Sequence, residues 1–138
     1  MKRISRLNKS VIEHIKLEVH SDKRGKLLSI EQTDTGLPFS PKRSFYLYDV
    51  PAGSTRAGHA VNCDQFLIAL RGSVHVELQA VDGAKKSWEL SKINEGLFVP
   101  AMNHITLKGF SDDALIVIYA SKAYADTKYF SLEDLKKE

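Results

Sequence analysis

The feature that most limits the fold of this chain is the shortness of its apolar runs. Val, Ile, Leu and aromatic residues come in stretches of a few residues, and turns rich in Gly, Pro, Asn and Asp separate the stretches. No stretch sustains the period of 3.6 residues that a long amphipathic helix requires. The pattern therefore predicts an all-β protein. The candidate strands are 26–32, 43–50, 59–62, 65–70, 73–79, 87–90, 96–99, 105–107 and 114–120.

Two segments carry helix signals. Residues 131–137 begin with a serine suited to the N-cap, followed by acidic residues in the first turn and lysines in the last, which complements a helix dipole. We therefore predict a short C-terminal helix. Ser10 and Glu13 have the spacing of a capping box, but residues 15–19 alternate like a strand. At most one helical turn is expected near Ser10.

Length and composition predict a single domain spanning residues 1–138. With 43% hydrophobic residues, the chain can bury a core without a disulfide or a metal. Its one cysteine, Cys63, cannot form an intrachain disulfide, which favours a reducing compartment or an inert thiol, and we expect a cytoplasmic protein. The 20 Lys and Arg residues are dispersed and leave a net charge of only +3, so no nucleic acid partner is expected. No apolar run approaches the roughly 18 residues of a transmembrane helix, so no membrane partner is expected.

Short strands at regular spacing leave two architectures open, an immunoglobulin-type β-sandwich and a jelly-roll barrel. Glycine, proline and histidine residues at defined spacings favour the barrel. The positions concerned, together with a glutamine, are Gly53, His59, Gln65, Gly72, Gly96, Pro100 and His104. Their spacing resembles the two sequence motifs of the cupins. The resemblance implies a cupin jelly-roll barrel (a double-stranded β-helix) whose open mouth forms a small-molecule pocket.

In metal-binding cupins the positions that match 59, 61, 65 and 104 hold the metal. Here Val61 and Gln65 occupy two of them, which leaves His59 and His104 as ligand candidates. A bound divalent metal usually has three or more protein ligands, so we expect neither a metal nor another cofactor. Two histidines in a polar mouth instead suit metal-free acid/base chemistry; the alternative is that His59 only lines the barrel. Arg56 nearby favours an anionic ligand.

The chain also resembles the sugar 3,4-ketoisomerases, a cupin family that acts on dTDP-4-keto-6-deoxyhexoses. The resemblance covers most of the chain and is carried by residues 22–27, 30–31, 38–39, 42–49, 65–68, 72–73, 96–101, 110–113 and 120–121, with Tyr124 and Tyr129. It implies a metal-independent isomerase of deoxysugar biosynthesis that binds a dTDP-linked keto sugar. It also implies a homodimer in which N-terminal strands, here residues 15–19, reach across to the partner.

One departure lies in the middle of the family's signature, which resembles Arg-Gly-x-His-Ala-His-Lys. This chain has Val61 in place of the second histidine, which by resemblance handles the proton at sugar C3, and Asn62 in place of the lysine. His59 is the retained acid/base residue. Two hypotheses follow. The first is an altered isomerase, or a 3-epimerase-like enzyme, in which His59 works alone or with His104 or Tyr48. The second is a non-catalytic nucleotide-sugar-binding cupin that serves as a sensor or accessory subunit.

Several residues are candidates for substrate binding. They are Arg56, Tyr46, Tyr48, Arg43, Asn62 and Gln65. The two tyrosines share one face of a strand, either with their hydroxyls in the pocket or packed between the sheets. The two arginines are candidates for the pyrophosphate, or alternatively form surface salt bridges. Other reactive side chains have no partner pattern and are not assigned to the chemistry; these are His14, His20, His75 and Cys63.

Overall fold

Because its apolar runs are short and alternating, the chain folds almost wholly into strands. The computed structural model describes residues 11–136. The strands in that part are β1 (Glu13–Lys16), β2 (Val19–Asp22), β3 (Gly25–Leu28), β4 (Arg43–Tyr48), β5 (Arg56–Val61), β6 (Gln65–Arg71), β7 (Val74–Gln79), β8 (Lys85–Leu90), β9 (Glu95–Val99), β10 (His104–Lys108), β11 (Leu115–Ala120) and β12 (Tyr129–Phe130). A 3-10 turn, Tyr124–Asp126, precedes β12, and the short helix α1, Leu132–Lys136, follows it.

Two antiparallel five-stranded sheets pack against each other. The first has the order β1-β9-β6-β11-β4, and the second has the order β12-β5-β10-β7-β8. β2 and β3 form a separate antiparallel hairpin. The predicted all-β class and the predicted C-terminal helix are confirmed, and the arrangement is a jelly-roll barrel of two layers.

The two sheets differ in burial, and the sequence of their strands explains the difference. The first five residues of β6 are all buried. Leu67 faces the second sheet, whereas Phe66 and Ile68 face the other way and are covered by Ile15 of β1 and by Leu37 of the connection between β3 and β4. A strand buried on both faces needs a continuous apolar run. β7 instead alternates between buried and partly exposed residues, as expected for a sheet with one solvated face.

The main departures from the predicted strands lie near the N-terminus. The strand predicted over 26–32 ends at Leu28, because the connection after it turns back, with the N–H of Leu37 donating to the carbonyl of Glu31 at 2.8 Å. The alternating segment 15–19 is divided between β1 and β2, and the N–H of Leu17 at the break donates to the carbonyl of Asn94 at 2.6 Å. Ser10 lies outside the described residues, and residues 11–12 form no helical turn.

The start of α1 follows the predicted capping pattern. The N–H of Asp134 donates to the Ser131 hydroxyl at 3.1 Å, and the N–H of Ser131 donates to the Asp134 carboxylate at 2.9 Å. No helix within residues 11–136 is both long and apolar enough to cross a membrane.

Gly96 of β9 lies where the core leaves no room for a side chain. A Cβ atom at this position would lie 2.7 Å and 2.8 Å from two ring carbons of Phe66. The Phe66 ring is fully buried and cannot swing aside. We expect Gly96→Ala to lower the free energy of unfolding by about 1–3 kcal/mol, as measured by urea unfolding.

A second substitution tests the cause. Phe66→Leu removes the ring that the new methyl group would meet, so the double variant should lose less stability than the sum of the two single variants. Strictly additive losses would show that the contact between residues 66 and 96 is not responsible.

Candidate active site

A cavity of about 170 Å³ lies between the two sheets, where β4, β6 and β11 of the first sheet face β5, β10 and β12 of the second. Its lining is mostly apolar, with a few polar groups. The lining residues are Arg43, Phe45, Leu47, Arg56, Ala57, His59, Val61, Gln65, Ile105, Leu107, Ile118 and Tyr129. The barrel mouth expected from the sequence is therefore a cavity that combines an imidazole, two guanidinium groups and an amide.

A β-bulge in β5 sets the direction of His59. Ile105 of β10 pairs with His59 but its neighbour Thr106 pairs with Ala57, so Gly58 is the extra residue. The φ angles of Ala57 and Gly58 are 66° and 83°, in the left-handed region. A bulge bends its strand and redirects the adjacent side chains. Here it brings His59 into the lining of the cavity.

The surroundings of His59 favour its neutral form. Burial is the main influence and lowers its pKa below the usual range for histidine, an interaction with its own backbone raises the pKa by less, and the charge of His104 lowers it. Nδ1 of His59 is buried and has no hydrogen-bond partner among residues 11–136. Nε2 is therefore the nitrogen through which the ring can exchange a proton with a ligand. A neutral imidazole with one accessible nitrogen is suited to act as a general base.

Arg43 brings a positive charge to the cavity, and no carboxylate within the described part of the chain forms an ion pair with it. Its guanidinium carbon lies 4.9 Å from the ring centroid of Phe45 and 5.5 Å from that of Tyr124, and Nη2 donates to the Thr127 hydroxyl at 3.4 Å. Its Nε atom is buried without a hydrogen-bond partner among the described residues. A buried charged donor is costly unless an acceptor is supplied, so this arrangement favours an anionic ligand.

Arg56 joins the cavity to an outer groove of about 330 Å³. Leu47 and Arg56 line both spaces, and Tyr46 and Tyr48 line the groove. The side-chain alternation of β4 turns Phe45 and Leu47 inward and the two tyrosines outward, where they are 52% and 65% exposed. The interpretation that the tyrosine pair packs between the sheets is therefore wrong. The pair does not line the barrel cavity, but it lies beside Arg56 at the edge of that cavity.

His104 does not lie in the barrel mouth, which corrects the prediction that it joins His59 there. β10 turns Ile105 and Leu107 into the core, so the residue before them faces outward. His104 lines a separate outer groove of about 480 Å³ together with Leu132 of α1. All five histidines are among the described residues, and His59 is the only one that lines the cavity. The motif spacing identified the strand that begins with His104, but it did not predict which face of that strand the side chain lies on.

Gln65 and Asn62 have different surroundings. Gln65 is 6% exposed and lines the cavity. The Asn62 amide nitrogen donates to the carbonyl of Asp126 at 3.4 Å, and its amide oxygen accepts from the N–H of Lys128 at 2.8 Å. Both ends of this amide hold the segment that precedes β12, which favours a structural role for Asn62 over the predicted contact with substrate.

Sequence reasoning did not identify Tyr129 as a cavity residue. Its ring centroid lies 4.7 Å from that of His59, and the two ring planes are 79° apart, which is an edge-to-face contact. Tyr129 belongs to the resemblance, but a strand of two residues leaves no periodic signal that would reveal its pairing with β5.

The remaining reactive groups do not line the cavity. Cys63 is buried behind the cavity, and burial is the main influence that raises the pKa of its thiol. His75 lies on the outer face of the second sheet, with Nδ1 3.3 Å from the Glu89 carboxylate. Within residues 11–136, no group of three or more His, Cys, Asp or Glu side chains is arranged to hold a metal ion.

Comparison of the sequence with known proteins gives a matching family model and a curated relative. A family model described as FdtA, WxcM-like, C-terminal, matches residues 10–136. A curated relative, the TDP-4-oxo-6-deoxy-alpha-D-glucose-3,4-oxoisomerase of Aneurinibacillus thermoaerophilus, is 35% identical over 116 residues, which cover 82% of this chain and 81% of the relative.

Solved structures of such enzymes share the fold. A mutant of the 3,4-ketoisomerase QdtA from Thermoanaerobacterium thermosaccharolyticum, in complex with TDP-4-keto-6-deoxyglucose, has a TM-score of 0.82 at 29% identity and covers 92% of this chain and 95% of its own. The TDP-quinovose 3,4-ketoisomerase WlaRB from Campylobacter jejuni has a TM-score of 0.84 at 25% identity, with 92% and 98% covered. These similarities confirm the resemblance seen in the sequence.

The environment of His59 predicts how its ionisation affects stability. Because the pKa of His59 is lower in the folded chain than its ordinary value of 6.5, the unfolded chain takes up the proton first as the pH falls. The contribution of neutral His59 to stability is therefore complete at higher pH and is lost as the pH falls through about 6.5 toward the folded pKa. In urea unfolding at several pH values from about 8 to about 5, we expect His59→Gln to lose less stability on acidification than the unsubstituted protein.

The matched control is His20→Gln, since the His20 side chain is 68% exposed. This variant should follow the pH dependence of the unsubstituted protein. If His59→Gln did the same, the buried imidazole would not be the source of the effect.

Proposed function

This chain belongs to the FdtA, WxcM-like family, and we propose that it is a 3,4-ketoisomerase that acts on a TDP-linked 4-keto-6-deoxy sugar. The observation that carries the proposal is the placement of His59 in the same cavity as Arg43 and Arg56. A neutral base beside two cationic groups suits a substrate that has an acidic carbon and an anionic diphosphate. The curated relative and both solved structures are named for ketoisomerases or oxoisomerases of TDP-sugars.

The dimensions of the cavity and of the outer groove support a model in which different parts of the ligand occupy these two spaces. Pockets that enclose a complete drug-sized ligand measure about 300–1,000 Å³. The barrel cavity, at about 170 Å³, holds only part of a nucleotide-sugar, and we assign it to the keto sugar. Arg43 and Arg56 then bind the diphosphate, and Gln65 donates or accepts a hydrogen bond with the sugar. Tyr46 and Tyr48 line the outer groove beyond Arg56 and are the candidates to contact the nucleoside.

The reaction needs a base and an acid but no redox step. His59 removes the proton from C3, and the electron pair moves toward the C4 carbonyl to give an enediolate. The hydroxyl proton on the C3 oxygen passes to the oxygen on C4 as the carbonyl forms at C3, and His59 returns its proton to C4. The product is the 3-keto isomer, with the same atoms and electrons as the substrate. Because Val61 cannot titrate and His104 faces away from the cavity, we assign both carbon proton transfers to His59.

A non-catalytic role is the second candidate, and one observation favours it. Val61 faces the cavity at the position where the family's signature has its second histidine, and its side chain is 4% exposed and apolar. An apolar residue there removes one proton-transfer group while it leaves the cavity and its arginines in place. In that case the protein binds a nucleotide-sugar as a sensor or accessory subunit.

The isomerase proposal predicts proton exchange at the sugar ring. With TDP-4-keto-6-deoxyglucose in D2O, the proton held by His59 exchanges with solvent, so the protein should incorporate deuterium at C3 of the remaining substrate and at C4 of the 3-keto isomer, both followed by NMR. His59→Asn should slow the exchange about a hundredfold or more, because general acid/base catalysis contributes a factor of that order. His75→Asn, which removes an imidazole from the outer face, should leave the rate unchanged.

The same experiment separates the two candidates. Thermal stabilisation by TDP without exchange above the enzyme-free control would support the binding protein and contradict the isomerase. The absence of both exchange and stabilisation would reject both.

We also propose that the protein is a homodimer, in which the β2–β3 hairpin, rather than the start of the segment 15–19, contacts the partner, because β1 pairs with β9 of its own chain. The β2–β3 hairpin hydrogen-bonds to no other strand within residues 11–136, and a two-stranded hairpin is marginally stable alone. Leu27 on this hairpin is 60% exposed. A partner that packs on the hairpin would remove this apolar side chain from water. The proposed location is the cytoplasm, in keeping with the single, unpaired Cys63.

Light scattering coupled to size-exclusion chromatography tests the dimer. The measured mass should be twice that of one chain, and Leu27→Lys should shift the population toward the monomer, since a charge would have to be buried. Val81→Lys makes the same change at a side chain that is 53% exposed in the β7–β8 connection, and it should leave the dimer intact. A monomeric unsubstituted protein would contradict the proposal.

A further inference from the structure

The residue directly opposite Val61 in the neighbouring strand is Tyr129. β12 consists of Tyr129 and Phe130, which pair with Val61 and Ala60 of β5. Side chains directly opposite each other in an antiparallel pair lie on the same face of the sheet. Tyr129 therefore shares the cavity face with Val61 and lines the cavity, whereas the alternation of the strand turns Phe130 to the other face.

The orientation of the His59 ring is not set by the hydrogen bond that usually performs this task. A functional histidine is commonly oriented by a carboxylate or carbonyl that accepts from its second nitrogen. The Nδ1 atom of His59 is buried and has no such partner among residues 11–136. Apart from the interaction with its own backbone, the imidazole is therefore held by packing. The aromatic contact that the structure provides is the edge-to-face contact with Tyr129, at 4.7 Å between centroids.

We propose that the ring of Tyr129 is a positioning residue that holds the His59 imidazole in the orientation needed for proton transfer. The inference rests on the proposed ketoisomerase function for its kinetic part. The aromatic ring, rather than the phenol hydroxyl, carries the effect. Tyr129 thus replaces an orienting hydrogen bond by a packing contact.

Charged and titratable groups around His59 influence its protonation, and the effect of the Tyr129 ring adds to theirs. Arg43 of β4 and Arg56 of β5 line the same cavity, and His104 of β10 acts from the outer face of the second sheet. The charge of His104 lowers the pKa of His59 and so disfavours its imidazolium form. Tyr129, itself 47% exposed, packs edge-to-face against the imidazole and removes that part of the ring from water, which acts in the same direction because burial favours the neutral form.

Three substitutions distinguish the effect of the Tyr129 ring from the effect of its hydroxyl and from the effect of strand β12. Tyr129→Phe keeps the ring and removes the hydroxyl. Tyr129→Ala removes both. Phe130→Ala shortens the other side chain of β12, which faces away from the cavity, and is the matched control for loosening of this strand.

The first readout is NMR titration of the His59 ring protons, assigned by their loss in His59→Asn. We expect Tyr129→Ala to raise the pKa of His59 toward the ordinary histidine value and to broaden the range of ring orientations. Tyr129→Phe and Phe130→Ala should leave the titration as in the unsubstituted protein. This readout requires no activity, so it tests the packing contact even if the ketoisomerase function fails.

The second readout is steady-state kinetics with TDP-4-keto-6-deoxyglucose. Tyr129→Ala should lower kcat about tenfold to a hundredfold with little change in KM, because misorientation affects proton transfer more than binding. Tyr129→Phe should stay within about twofold of the unsubstituted kcat.

Three results would overturn the inference. Equal losses in Tyr129→Phe and Tyr129→Ala would assign the effect to the hydroxyl. Equal changes in Phe130→Ala and Tyr129→Ala would assign it to the docking of β12. An unchanged His59 titration and unchanged kcat in Tyr129→Ala would show that the Tyr129 ring does not position the His59 imidazole.

Discussion

The packing of the two five-stranded sheets on each other is the interaction on which the site depends. Aliphatic side chains such as Leu67 and Ile116 of the first sheet meet Leu78 of the second and close most of the barrel. At one end the inward positions change from aliphatic to polar residues, among them His59 and Gln65. Because the side chains of a strand have a period of two, a register shift of one residue would expose the core and turn the polar groups outward. Core and site are therefore fixed by the same register.

The charged side chains that line the cavity are all positive. Arg43 and Arg56 both add positive charge, and within residues 11–136 neither forms an ion pair with a carboxylate. Burial is the main influence that lowers the pKa of His59, which disfavours a third cation in the cavity. This combination suits a ligand whose negative charge lies at the arginines and whose reacting carbon lies deeper, at the imidazole. Protonation of His59 would strengthen the attraction of anions but remove the base, and burial favours the base.

Sequence reasoning located the strands and half of the site for identifiable reasons. The alternation of apolar residues and the turn residues were sufficient to predict the approximate positions of β4 to β11, which all belong to the two five-stranded sheets. The motif spacing correctly placed His59 in the barrel cavity, because His59 lies within a strand that the motif includes. It misplaced His104, since spacing alone does not state which face of β10 is inward. It also missed Tyr129, because β12 is too short for any periodicity and joins β5 only through tertiary structure.

The presence of one imidazole in the cavity has a stereochemical consequence for the proposed reaction. C3 and C4 of the sugar are adjacent, about 1.5 Å apart, so a single nitrogen can reach both from one side with only a small movement. Transfer by His59 alone therefore removes and returns the proton on the same face of the ring. Two bases on opposite faces would not impose this limit. In this site Val61 contributes no second base, and Tyr129 packs against His59 from the neighbouring strand. The configuration of the product at C4 is thus determined by which face of the sugar the barrel turns toward β5, and the residues that orient the sugar, not the choice of acid or base, decide that face.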